Sequence, residues 1–144
     1  MPMRICGISF DSSVAIIVIA DFDLEGQCRI VEAETKRVDL LNHEDDACLK
    51  NFHRLITALV NDHDIDRIAI RKCTYSGKYQ SGASSLKMEA ILQLAEVPTE
   101  LLAPKTVNKV CEKNECEIPE ELNKYQHDAF RAAFALASNG PRVQ

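Results

Sequence analysis

The chain has 144 residues, 46% hydrophobic and 27% charged, with a formal net charge of −5. That length fits one domain with a sizeable core, expected over residues 1–144, and the acidic balance excludes a protein that coats nucleic acid through bulk charge. No apolar run approaches the roughly 18 residues needed to cross a bilayer, and the opening MPMRICGISF lacks the apolar region and cleavage site of a secretory leader, so a cytoplasmic protein with no membrane partner is expected.

Arg4 to Phe10 is apolar-rich and predicts a first strand ending at Asp11-Ser12-Ser13. Val14 to Ala20 (VAIIVIA) is β-branched and almost wholly apolar, as suits a central strand buried on both faces. After a turn around Gly26, Cys28 to Val38 alternates well enough for a third strand, completing an antiparallel meander. Asn42 offers a helix cap with Asp45 three residues on. Behind it Cys48, Phe52, Leu55, Ile56, Leu59 and Val60 recur at helical spacing. Ile65 to Ile70 is a fourth strand, which a helical crossover makes parallel to its neighbour. A second helix from Ser84 places Leu86, Ala90, Ile91, Leu94 and Ala95 on one side, and Thr99 to Ala103 is a fifth strand. Pro104 suits the first position of a third helix, stopped at Asn114. Pro119 opens a last helix with Glu120 and Glu121 in its first turn, running to Ser138 and ended by Gly140-Pro141. The order is β-β-β-α-β-α-β-α-α: an α/β fold with a mixed five-stranded sheet and helices on both faces.

The charge is uneven. Residues 1–70 hold 7 basic and 13 acidic side chains, residues 71–113 hold 7 and 4, and residues 114–144 hold 3 and 5. One basic segment therefore lies in an acidic protein, either a solvated lysine face or a groove facing phosphates. Within it the loop Ser76-Gly77-Lys78-Tyr79-Gln80-Ser81-Gly82 precedes a helix, where backbone N–H groups, Lys78 and Lys87 can cradle a phosphate. It is not a Walker loop. Tyr75 and Tyr79 offer faces for unpaired bases. The six cysteines contain no CxxC pair, and no Cys/His spacing fits a zinc site.

Four short stretches carry a resemblance. Ile5-Cys6-Gly7-Ile8-Ser9-Phe10-Asp11-Ser12, Ile68-Ala69-Ile70-Arg71, Lys105-Thr106-Val107-Asn108-Lys109 and Gln126-His127-Asp128-Ala129, in this element order, resemble the ribonuclease H-like superfamily. Within it they are most similar to Holliday-junction resolvases of the RuvC type, and the chain also resembles small bacterial families of the same layout. The resemblance implies a nucleic-acid partner, DNA or RNA. It also implies Mg²⁺, held by three or four convergent acids, that activates water at a phosphodiester. The acids depart from that pattern. A gap-free match puts Ser9, Arg71 and Tyr125 where the family has carboxylates and leaves Asp128. Ribonuclease H opens with Asp-Gly-Ser, and laying Phe10-Asp11-Ser12-Ser13 on that motif supplies Asp11, one pleat beyond Ser9 on the same face. No register supplies the strand-four acid, because Arg71, Lys72, Cys73 and Thr74 offer none.

The resemblance thus implies a RuvC-like protein with a degenerate acidic site, binding nucleic acid with nuclease activity lost or altered. Asp11 and Asp128 are the candidate catalytic and Mg²⁺-holding residues, with Glu89, Asp21 and Asp23 as acids able to approach. Ser9, Ser12, Ser13, Arg71, Lys72, Lys78, Lys87 and Lys105 are the candidate phosphate contacts. Each has a plainer reading: Asp128 pairs with Arg131 one turn on, Asp11 is a turn residue, and His127, beside Asp128, packs rather than acting as a base. His43, His53 and His63 share no ligand spacing. Two alternatives stay open: a non-catalytic protein-interaction or regulatory module, including a homodimer, and a nucleotide-binding relative of the actin-like ATPase core.

Overall fold

The computed structural model describes residues 2–139. Strands β1 (Met3–Asp11) and β2 (Val14–Phe22) form an antiparallel ladder along their whole length, from Met3 opposite Phe22 to Asp11 opposite Val14. The predicted apolar run of β2 is buried from Ala15 onward, with Val14 half-buried, as expected for a strand covered on both faces. The predicted third strand is two short ones, β3 (Cys28–Ile30) and β4 (Arg37–Asp39), both paired with β2. Ala20 lies opposite Ile30 but Ile16 lies opposite Arg37, so four residues of β2 span the distance covered by seven of the partner segment. The surplus, rich in Glu32 and Glu34, bulges out and breaks the strand.

Helix α1 (Asp46–Asp62) then crosses over to β5 (Arg67–Arg71), parallel to β1, and β6 (Thr99–Leu102) lies parallel beyond it. The sheet order is β3-β2-β1-β5-β6, with β4 sharing the β2 edge; six strands occupy the five expected positions. Helices α2 (Ala83–Leu92), α3 (Pro104–Lys113) and α4 (His127–Ser138) complete the chain. Helices cover both faces. Cys6, Ile8, Ile68 and Ile70 pack with Phe52 and Ile56 of α1 and with Met88 and Leu92 of α2. Ile5, Ile16, Val18 and Ala69 pack with Val107 of α3 and with Ala129, Phe130 and Ala133 of α4. Alternation along the strands sorts these residues.

Three helix expectations need correction. The cap of α1 is Asp45, whose side chain accepts from the Ala47 N–H, while Asn42 turns the preceding loop by accepting from Glu44. The buried face of α2 is Ser85, Met88, Glu89 and Leu92, with Ala90 and Leu94 outside; polar residues point inward because they have partners at the sheet edge. The last helix begins at His127, not Pro119. Pro119 starts a turn closed by Leu122, and a capping box between Asn123 and Gln126 sets a 3-10 turn (Lys124–Gln126) ahead of α4. The expected stop at Gly140-Pro141 lies outside the described residues.

Gly7 decides how α4 sits. A Cβ there would lie 2.0 Å from the Ala129 carbonyl oxygen, so only glycine lets α4 press on the centre of β1.

Candidate functional site

The carboxyl ends of parallel strands are where α/β folds present ligand groups, and here β1, β5 and β6 end at one edge. Ile8 pairs with Ile70, so Ser9 and Arg71 follow side by side. Since Ile8 and Ile70 face α1 and α2, Ser9, Asp11 and Arg71 project to the α4 face. The α4 helix, seated by Gly7, brings Asp128 to the same place. One Asp128 carboxylate oxygen lies 3.8 Å from the Arg71 guanidinium and 3.2 Å from that of Arg131. Asp128 thus pairs with Arg131, as i,i+3 spacing suggests, and also lies against Arg71 at the end of β5.

Tyr125, the second position near the last helix where the resemblance implied an acid, lies under the Arg37 guanidinium, 4.4 Å from the ring centre. The two places thus hold a paired carboxylate and a stacked aromatic, each engaged by an arginine.

These residues fit Mg²⁺ poorly: that ion binds through oxygen ligands, and the carboxylate that reaches this place, Asp128, is engaged by two guanidiniums. Among the described residues no three His, Cys, Asp or Glu side chains gather where they can hold a metal. Asp11 is exposed at the hairpin. Asp21 lies at the opposite end of β1, gripped by Arg4 (2.8 and 3.1 Å) and by Arg29 (3.1 Å). These partners, Arg4 first, hold its carboxyl below the usual carboxylate range. Asp23 is spent on the β2–β3 turn, accepting from the Glu25 and Gln27 N–H groups.

Glu89 does reach the edge, from α2. It is 3% exposed and accepts from the Cys73 N–H at 2.6 Å and from the Tyr75 hydroxyl. The bond to Glu89 pushes the Tyr75 hydroxyl up to about 12, and burial followed by the Glu89 charge pushes the Cys73 thiol to about 12. Around this carboxylate the segment after β5 is tied down: Thr74 donates to the Ser81 hydroxyl, and Ser81 donates back to the Thr74 carbonyl. Only the interior i,i+4 pair Ser85 and Glu89 signalled this role in sequence.

The other candidates divide. Ser9 is buried at 4%. Ser12 takes a left-handed turn conformation (φ 58°), and its carbonyl accepts from the Ser85 hydroxyl; the Ser13 carbonyl accepts from Leu40. Lys87 donates to the His43 carbonyl at 2.7 Å, bracing α2 against the loop before α1. Lys72 and Lys78 lie over the rings of Tyr75 and Tyr79, and Lys105 is exposed in the first turn of α3. Helices α2 and α3 both start at this edge with no acid in the first turn and no side-chain cap. Their free N–H groups add positive potential to the lysines.

Residues 3–136 match the model of the family described as "Protein of unknown function (DUF3010)", so the chain belongs to that family. A comparison with curated proteins found no match. Among solved structures the chain is similar to Thermus thermophilus RuvC, at 14% identity over 94% of each chain with a TM-score of 0.73. It is similar also to T. thermophilus RuvC in complex with a Holliday junction substrate, at 15% identity over 94% of each chain with a TM-score of 0.67. A Fowlpox virus resolvase bound to Holliday junction DNA aligns at 12% identity over 92% of this chain and 90% of that one, with a TM-score of 0.51. At these identities the likeness shows the fold, which is ribonuclease H-like.

Proposed function

We propose that this member of the DUF3010 family binds the backbone of branched DNA at the carboxyl edge of its sheet without cutting it by metal-activated hydrolysis. The observation that carries the reading is the Arg71–Asp128 contact at 3.8 Å. A guanidinium stands where a cleavage site of this fold would need a carboxylate, and it engages the acid that remains. A cation so placed repels a metal ion and attracts phosphate.

Arg71, Arg131 and Asp128 together carry one net positive charge. Lys72, Lys78 and Lys105, with the starts of α2 and α3, extend that charge along the edge. The choice of branched DNA is supported by the two similar structures that hold Holliday junctions. The overall charge of −5 makes binding depend on this one edge, so contact is local rather than a coating.

The test is a fluorescence anisotropy titration with labelled four-way, single-stranded and linear duplex DNA. Affinity is expected to fall steeply between about 50 and 200 mM salt as phosphate counterions are released. Arg71→Glu should weaken it, because the variant places a repelled carboxylate at the phosphate. Absent binding at low salt, or binding indifferent to salt, would overturn the reading; a preference for RNA of the same shape would reassign the ligand.

A further inference from the structure

We propose that the free edge of β4 pairs with the same edge of a second copy, making a two-fold symmetric dimer with Val38 on the axis. Among the described residues strand β4 borders β2 on one side only, and no strand lies beyond it. The Leu40 N–H bonds to the Ser13 carbonyl and the Lys36 carbonyl accepts from Ile17. Alternation along an antiparallel ladder then turns residues 36, 38 and 40 toward β2 and the backbone groups of Arg37 and Asp39 outward. An edge of this kind is a template for another strand.

The sequence Arg37-Val38-Asp39 is complementary to itself when read antiparallel. With Val38 facing its own copy, each Arg37 lies opposite the partner's Asp39. That pairing uses the outward N–H and carbonyl groups of both residues, giving four backbone hydrogen bonds across the axis. Arg37 and Asp39 are both exposed, on the face opposite the buried Val38. Oppositely charged residues directly across a ladder stabilise it, and symmetry supplies the pair twice.

The other face of the same edge is apolar. A groove of about 470 Å³ runs between β4 and α1, lined by Val38, Leu41, Ala47, Cys48 and Leu55 among others. Leu41 is 85% exposed and Leu55 39% exposed beside it. In the dimer these leucines are covered at the point where the two grooves meet. A chain of another protein could add to the edge, but only a second copy meets both the charge order and the apolar groove by symmetry.

The experiment is sedimentation equilibrium of the full chain across a concentration series. The wild type should be a dimer. Asp39→Arg should weaken dimerisation at least about tenfold, since two like-charge pairs replace two attractive ones. Arg37→Asp should do the same, and the double swap Arg37→Asp with Asp39→Arg should restore the dimer. Leu55→Lys, on the surface of α1, should also weaken it, and circular dichroism should show each variant folded. A wild type that stays monomeric at the highest concentration would overturn the proposal. So would a dimer indifferent to Asp39→Arg and Leu55→Lys, or a double swap that stays monomeric.

Discussion

Arg71 and Asp128 hold each other at 3.8 Å with Arg131 at 3.2 Å on the same oxygen, so removing the acid should change binding rather than cutting. Asp128→Asn deletes one negative charge at the proposed contact and releases two guanidiniums. DNA affinity should rise, and the salt slope should steepen by up to about 0.9, the value of one further phosphate contact; anisotropy over a salt series measures both. Glu89 can be read separately through Tyr75. The chain has three tyrosines, and Tyr75 is held at about 12 by its bond to Glu89, against an ordinary 10.0. In Glu89→Leu, ultraviolet titration should find that tyrosine ionising at lower pH. Unpairing the buried Cys73 N–H should cost about 1–3 kcal/mol of stability. Gly7 is the third such position. Gly7→Ala sets a methyl 2.0 Å from a backbone carbonyl and should destabilise the fold by about 3 kcal/mol or more, seen as a lower urea midpoint; an unchanged midpoint would contradict the seating of α4.

At the scale of elements, the wide features were legible and the local ones were not. The apolar run from Val14 to Ala20 in β2, the periodic face of α1 and the Pro104 start of α3 are signals that burial and backbone geometry enforce wherever the chain goes. Where the reading failed, a competing local contact decided. Asn42 turns its own loop and leaves the cap to Asp45. The inward face of α2 includes Ser85 and Glu89, which helical periodicity of apolar residues cannot reveal, because their partners lie on the distant segments around Ser12 and Cys73. The site was half legible. A cation at the end of β5, Arg71, could be read from the sequence, and the resemblance supplied the expectation of an acid there, whereas its pairing with Asp128 and the stacking of Arg37 on Tyr125 depend on how distant segments dock. The far end of the β1–β2 ladder carries its own prediction. Asp21, 8% exposed between Arg4 and Arg29, has its folded pKa lowered from 3.8. It therefore stabilises the fold above its unfolded pKa, and that contribution is lost as pH falls through the folded value. The stability gap between wild type and Asp21→Asn should be widest near neutrality and close as pH drops below about 4, in urea melts across pH.

For the whole molecule, a net charge of −5 with cations gathered at one sheet edge means that, if the proposed binding holds, a polyanion is met in a single orientation. The segment carrying β5, α2, β6 and α3 supplies that edge, and both of its connections at the carboxyl side of the sheet bring cations with them: Arg71, Lys72 and Lys78 at the first and Lys105 at the second. No helix among the described residues is long and apolar enough to cross a membrane. The fold is shared with the similar resolvases, and at this edge Asp128 is engaged by Arg71 and Arg131; the proposed function is DNA binding there without Mg²⁺-dependent cutting. The measurement that tests this most directly incubates the protein with end-labelled four-way DNA and Mg²⁺ and resolves each sample on both a native and a denaturing gel. A salt-sensitive shifted complex is expected on the first and intact strands on the second at every Mg²⁺ concentration. Strand cuts that require Mg²⁺ and vanish in Asp128→Asn would contradict the proposed function.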